Sequence, residues 1–132
     1  VTTLLVDVAN VVGSRPDGWW RDRAGATTRL LAGLAPLVGT TVPGPDGVPL
    51  PVTALLAVLE GRARDVEVPP VVTAVRSPGS GDDALVQAVA GLEDVLVVTA
   101  DRGLRARLPA GVRVGGPGWL RGLCDSEHKT MG

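Results

Sequence analysis

Four aliphatic runs, each followed closely by a carboxylate, constrain this chain more than any other feature. Thr3-Leu4-Leu5-Val6 ends in Asp7, and Val52 to Leu59 closes with Glu60-Gly61. Val71 to Val75 leads through the turn Ser77-Pro78-Gly79-Ser80-Gly81 to Asp82-Asp83. Val95 to Val98 reaches Asp101 after Thr99-Ala100. Short, continuous runs of this kind read as strands buried on both faces.

Helical patterns lie between the runs. One begins near Asp22, carries Leu30, Leu31 and Leu34, and is stopped by Pro36 and Gly39. A second places Leu85, Val86 and Val89 behind Asp82-Asp83, and a third spans Arg102 to Leu108 before Pro109. Val112 to Val114 is expected as an edge strand, and Gly116-Pro117-Gly118 opens a last helical turn around Trp119 and Leu120. Thr40 to Pro51, with four prolines, is expected as an exposed loop. Strands alternating with helices predict a three-layer α/β/α fold with a central, mainly parallel sheet of four to five strands. Residues 1–124 are expected as one domain, and residues 125–132 as a polar, disordered tail in which His128 and Met131 have no role.

Aliphatic residues must build the core, because Trp19, Trp20 and Trp119 are the only aromatics. Cys124 stands alone, which excludes a disulfide framework or a cysteine zinc cluster within the chain and predicts a partly buried thiol. A net charge of −1 argues against a broadly basic surface. Without the strand-end aspartates the balance turns positive, nearly all of it on Arg. The first twelve residues contain Asp7 and Asn10 and lack a basic leader, so they do not read as a signal peptide. No stretch approaches the roughly 20 apolar residues of a spanning helix. A cytoplasmic protein without membrane association is expected.

In open α/β sheets, ligands bind beyond the carboxyl ends of the strands. Asp7, Glu60, Asp82, Asp83 and Asp101 all fall there. Each has a competing structural role. Asp82 and Asp83 favour a helix start through the helix dipole, and Ser80 with Asp83 has the spacing of a capping box. Asp101 could cap the helix after it. Glu60 has Arg62 and Arg64 nearby as ion-pair partners. Asp7 is harder to explain structurally, since no helix start is evident after it and a buried carboxylate needs compensation. Converging carboxylates raise one another's pKa, and a hard divalent cation relieves the repulsion. Oxygen ligands suit Mg²⁺ or Mn²⁺. Such an ion polarises a phosphoryl oxygen and acidifies bound water.

Three stretches carry a family resemblance: Leu5-Val6-Asp7-Val8-Ala9-Asn10-Val11-Val12, Pro78-Gly79-Ser80-Gly81-Asp82-Asp83, and Val97-Val98-Thr99-Ala100-Asp101-Arg102-Gly103-Leu104. In order and spacing, from about Thr3 to Leu123, the chain resembles the NYN domains of the PIN-like nuclease superfamily, in particular short actinobacterial members. The resemblance implies a Mg²⁺- or Mn²⁺-dependent ribonuclease. Asp7, Asp82 or Asp83, and Asp101 would bind metal; Asn10 would orient the first-strand loop or contact substrate, and Thr99 would stand beside the metal. One departure is Val8, where the family usually has Gly. Some relatives associate with ribosomes, and small nucleases of this fold often pair as homodimers.

The segment Gly13 to Arg23 should share the rim of this site. Arg15, Arg21 and Arg23 are candidates for the phosphodiester backbone of single-stranded RNA, and a Trp for stacking on an unpaired base. Packing of at least one Trp is the competing role. Arg102 and Arg76 are further phosphate candidates, and Ser80 lies in a turn that resembles a phosphate cradle but lacks the P-loop lysine. Two other functions remain open on these residues. Val8 and the near-neutral charge motivate an RNA-binding protein without turnover. A phosphatase or nucleotide pyrophosphohydrolase is disfavoured by Ala9, where the haloacid-dehalogenase type has a second Asp.

Overall fold

The structure is a computed structural model that describes residues 2–131, with side chains described through Asp125. Strand β1 (Thr2–Asp7) lies between two parallel neighbours, β3 (Pro49–Leu59) and β5 (Val95–Val98). Beyond β5 lies β6 (Arg113–Gly115), and β3 also pairs in parallel with β4 (Val72–Arg76). The expected parallel sheet is therefore present.

Both faces of β1 are buried, as its unbroken apolar run requires. Leu4 and Val6 enter one core with the short helix α1 (Val8–Val12) and α2 (Arg23–Leu34), which contributes Leu30, Leu31 and Leu34. Leu5 enters a second core with Leu85 and Val89 of α3 (Gly81–Ala90) and Leu104 of α4 (Arg102–Arg107). These are the three layers. Burying about two dozen leucine and valine side chains, at roughly 1.5–3 kcal/mol each, supplies the main driving force.

The segment expected as a loop is instead a hairpin. Strand β2 (Thr41–Pro43) pairs antiparallel with the start of β3, giving six strands. Its prolines deceive the sequence reader. Ladder bonds fall at Thr40/Val52 and Gly44/Val48, so Pro43, Pro49 and Pro51 occupy positions where no ladder N–H is needed. Val42 and Leu50, facing each other between them, are buried.

The last helix, α5, spans Pro117–Met131. The expected tail, with His128 and Met131, falls almost wholly outside the residues whose side chains are described. Cys124 is partly buried, and burial pushes its thiol pKa up. No described helix is long and apolar enough to cross a membrane.

Candidate active site

The carboxyl ends of β1 and β5 are adjacent in the sheet, so Asp7 and Thr99 meet. Asp7 is only 6% exposed. Its Oδ2 accepts the Thr99 hydroxyl at 2.8 Å, and its Oδ1 faces the Asn10 N–H at 3.5 Å. That second contact corrects the sequence reading: α1 starts directly after Asp7, and Asp7 is its N-cap. Helix and metal roles thus compete at Asp7 as they do elsewhere. Val8, in place of the family's usual Gly, is the first residue of α1 and is buried in the core.

Thr99 links two of the acids. Its hydroxyl donates to Asp7 and accepts the Asp101 N–H at 3.1 Å. Asp101 in turn caps α4, its Oδ1 accepting the Leu104 N–H at 3.0 Å. Asn10 closes the other side, its Oδ1 accepting the Ala100 N–H at 2.8 Å. Its amide NH₂ has no protein partner among the described residues. The first and third motifs are therefore stitched together by side chains.

The second motif arrives from β4 and α3. Ser80 caps α3, its Oγ accepting the Asp82 N–H at 3.2 Å. Glu60 reaches the same helix start, accepting the Gly81 N–H at 2.5 Å. A Cβ at position 81 would lie 2.7 Å from the Glu60 carboxylate, so glycine permits this approach. The expected ion pairs of Glu60 with Arg62 or Arg64 are not formed; Arg64 faces Asp65 at 3.6 Å.

Asp82 and Asp83 part company. Asp83 forms an exposed ion pair with Arg107 at 2.8 Å and closes no capping box. Asp82 stays within the field of Asp101 and Glu60. Its pKa is raised, by desolvation first, then by those two acids. Asp7 is raised chiefly by burial, against the hydrogen bonds from Thr99 and Asn10, with Asp82 and Glu60 adding to the rise. Asp7, Glu60, Asp82 and Asp101 thus form one negatively charged edge.

The chemistry of this donor set fits a hard divalent cation, since all four groups are carboxylates whose mutual repulsion a cation would relieve. Their spacing limits the fit. Among the described residues, no three Asp, Glu, His or Cys side chains are grouped as a ready-made metal shell. A mostly hydrated ion held by few direct ligands, the usual habit of Mg²⁺, matches this arrangement better than a dehydrated cage.

The arginines divide between surface and scaffold. Arg15 pairs with Asp125 at 2.8 Å, and Arg76 donates to the carbonyls of Arg64 and Val66. Arg21 lies 6.0 Å from the Trp20 ring centroid, and Arg23 lies 5.2 Å from that of Trp19. Trp19 packs against the core while Trp20 is 55% exposed, so one tryptophan packs, as expected. Arg102 is exposed beside Asp101 without an ion pair among the described residues. Two arginines that sequence reasoning missed hold the site together. Arg105 donates twice to the Thr99 carbonyl, and Arg121 donates to the carbonyls of Val11 and Val12 at the end of α1. No local pattern marks either of them.

Helices on both faces of a mainly parallel sheet, with acids gathered at the carboxyl ends of its strands, define a PIN-like α/β fold. Among solved structures, the chain is similar to a mutant of Rae1 (YacP) from Bacillus subtilis. The TM-score is 0.69 at 16% identity, over 98% of this chain and 79% of that one. At this identity the likeness concerns the fold. No family model and no curated protein matches the sequence.

Proposed function

We propose that the chain is a metal-dependent endoribonuclease of NYN type that hydrolyses phosphodiester bonds in single-stranded RNA in the cytoplasm. The observation that carries this reading is the acidic edge itself. Asp7 and Asp82 come from motifs 75 residues apart in the sequence, yet Asp82 and Glu60 are among the charges that raise the Asp7 pKa, and Asp101 and Glu60 raise that of Asp82. Such mutual repulsion is unfavourable without a cationic partner. Similarity to NYN sequences at the three motifs and the PIN-like fold support the same reading.

Asp7, Asp82 and Asp101 would hold Mg²⁺ or Mn²⁺, with Glu60 beside Asp82. The bound ion would supply an acidified water and a polarised phosphoryl oxygen. The protein's own contribution is positional. Thr99 fixes Asp7 relative to Asp101, and Asn10 locks the loop at Ala100 while keeping its NH₂ for a substrate oxygen. Asp83 holds Arg107 at the rim. Arg102 is the arginine best placed for phosphate, being next to Asp101 and unpaired among the described residues. Ribosome association and homodimer formation are what the family resemblance implies.

One observation favours a second reading, an RNA-binding protein without turnover. Asp7, Glu60 and Asp101 each already accept a hydrogen bond from a helix N-terminus. Cleavage of a single-stranded RNA with Mn²⁺, abolished by EDTA and by Asp7→Asn or Asp101→Asn, supports the nuclease. RNA retention without cleavage under any divalent ion supports the second reading.

A further inference from the structure

A cavity of about 410 Å³ opens beside the acidic edge, between α1, the first turns of α2 and the 3-10 turn Gly61–Ala63. That volume lies within the roughly 300–1,000 Å³ of small-molecule pockets. Trp19, Arg23 and Thr27 line one wall at intervals of four residues, and Ala9 and Glu60 line another. We propose that this cavity receives one unpaired nucleobase of the RNA strand cleaved at the acidic edge, and so sets sequence preference. The proposal rests on the nuclease reading for its ligand, and on its own observations for the pocket.

Three features converge on that occupant. The Arg23 guanidinium lies over the Trp19 ring, 5.2 Å from its centroid, and the two together line the cavity with a flat cationic and aromatic surface against which a planar ring can pack. Thr27 is 2% exposed, lines the cavity, and has no hydrogen-bond partner for its hydroxyl among the described residues. No side-chain oxygen among the described residues is both fully buried and without a partner, so this hydroxyl is open to the cavity and available to an occupant. Glu60 belongs to the cavity and to the acidic edge at once, since its carboxylate caps α3 next to Asp82. An occupant is therefore within one residue's reach of the catalytic carboxylates. A base edge offers N–H donors to Glu60 and either partner to Thr27, while its ring packs against the Trp19–Arg23 pair.

The test is an NMR titration of the full chain in EDTA with AMP, GMP, CMP and UMP, using ribose 5-phosphate as the baseless control. The Trp19 indole N–H signal, assigned with Trp19→Phe, should shift with at least one nucleotide and not with the control. Thr27→Val should weaken that binding about fivefold, the loss of one hydrogen bond, and Thr27→Ser should restore it. Arg23→Gln, at an exposed position, should weaken it as well. No shift beyond that of ribose 5-phosphate with any of the four nucleotides overturns the pocket. If RNA is nevertheless cleaved, the nuclease reading survives that failure. Conversely, a base-dependent shift without RNA cleavage under any divalent ion supports the pocket and removes the nuclease.

Discussion

Thr99 donates its hydroxyl to Asp7 across 92 residues of chain, joining the ends of β1 and β5 at 2.8 Å. The bond exists because the parallel register places Val6 opposite Val98, so the residues that follow each strand converge. Among the described residues it is also the only side-chain hydrogen bond to the buried Asp7 carboxylate, so its loss should be felt in both stability and function. Thr99→Val keeps the shape and removes the donor. Urea unfolding should show a loss of about 1–3 kcal/mol, with RNA cleavage reduced in parallel. Thr99→Ser should recover most of both. Unchanged unfolding in the Val variant would contradict the bond.

Asp7 gives a pH signature. Its folded-state pKa is raised from the ordinary 3.8, chiefly by burial. The folded protein therefore binds this proton more tightly than the unfolded chain does. The associated stability is full below the ordinary carboxylate pKa and declines as pH rises through the raised value. Asp7→Asn escapes the decline and remains a good N-cap. In metal-free buffer at pH 7 the variant should melt a few degrees above the parent, with the gap closing towards pH 3.8, whereas in Mn²⁺ buffer its RNA cleavage is lost. A variant that melts lower at pH 7 would show that the carboxylate's hydrogen bonds outweigh its burial.

Cation binding should reverse that order. At a Mn²⁺ concentration one hundred times its Kd, ligand linkage adds about 2.7 kcal/mol. Thermal melts with and without Mn²⁺ should show the gain in the parent chain, and little of it in Asp7→Asn or Asp82→Asn. Absence of any Mn²⁺-dependent shift would remove the metal from the proposed function.

Neighbouring aspartates should behave differently. Asp83→Asn breaks an exposed ion pair with Arg107, worth about 0–1 kcal/mol, and should leave cleavage within a fewfold of the parent. Asp82→Asn should abolish cleavage and, by lifting repulsion with Asp101 and Glu60, leave stability unchanged or slightly higher. Equal loss of activity in the two variants would mean that Asp83 also serves the acidic edge.

Much of this architecture can be read from residues in order. Leu4, Leu5 and Val6 announce a strand buried on both sides, and Leu30, Leu31 and Leu34 a helix packed against it. The hairpin was concealed because proline content outweighs alternation in a short window, although Val42, Leu50 and Val52 keep the period of two. Helix α1 was concealed because five residues contain too few turns for a periodic signal. At the site, the acids stand out by their strand-end positions, whereas Thr99 is marked only by the family resemblance. The split between Asp82 and Asp83, and the anchoring by Arg105 and Arg121, depend on side chains that meet only after folding.

Helix α1 is short, and groups from distant parts of the chain clasp it at both ends. Asn10 holds Ala100 near its start, and Arg121 of α5 takes the carbonyls of Val11 and Val12 at its finish. It therefore works as a ruler with fixed stops. One residue inserted between Asp7 and Asn10 would swing the asparagine by about 100°, where no exchange of side chains could bring it back. Side chains along this stretch can be exchanged one at a time, but its length is fixed by those two stops.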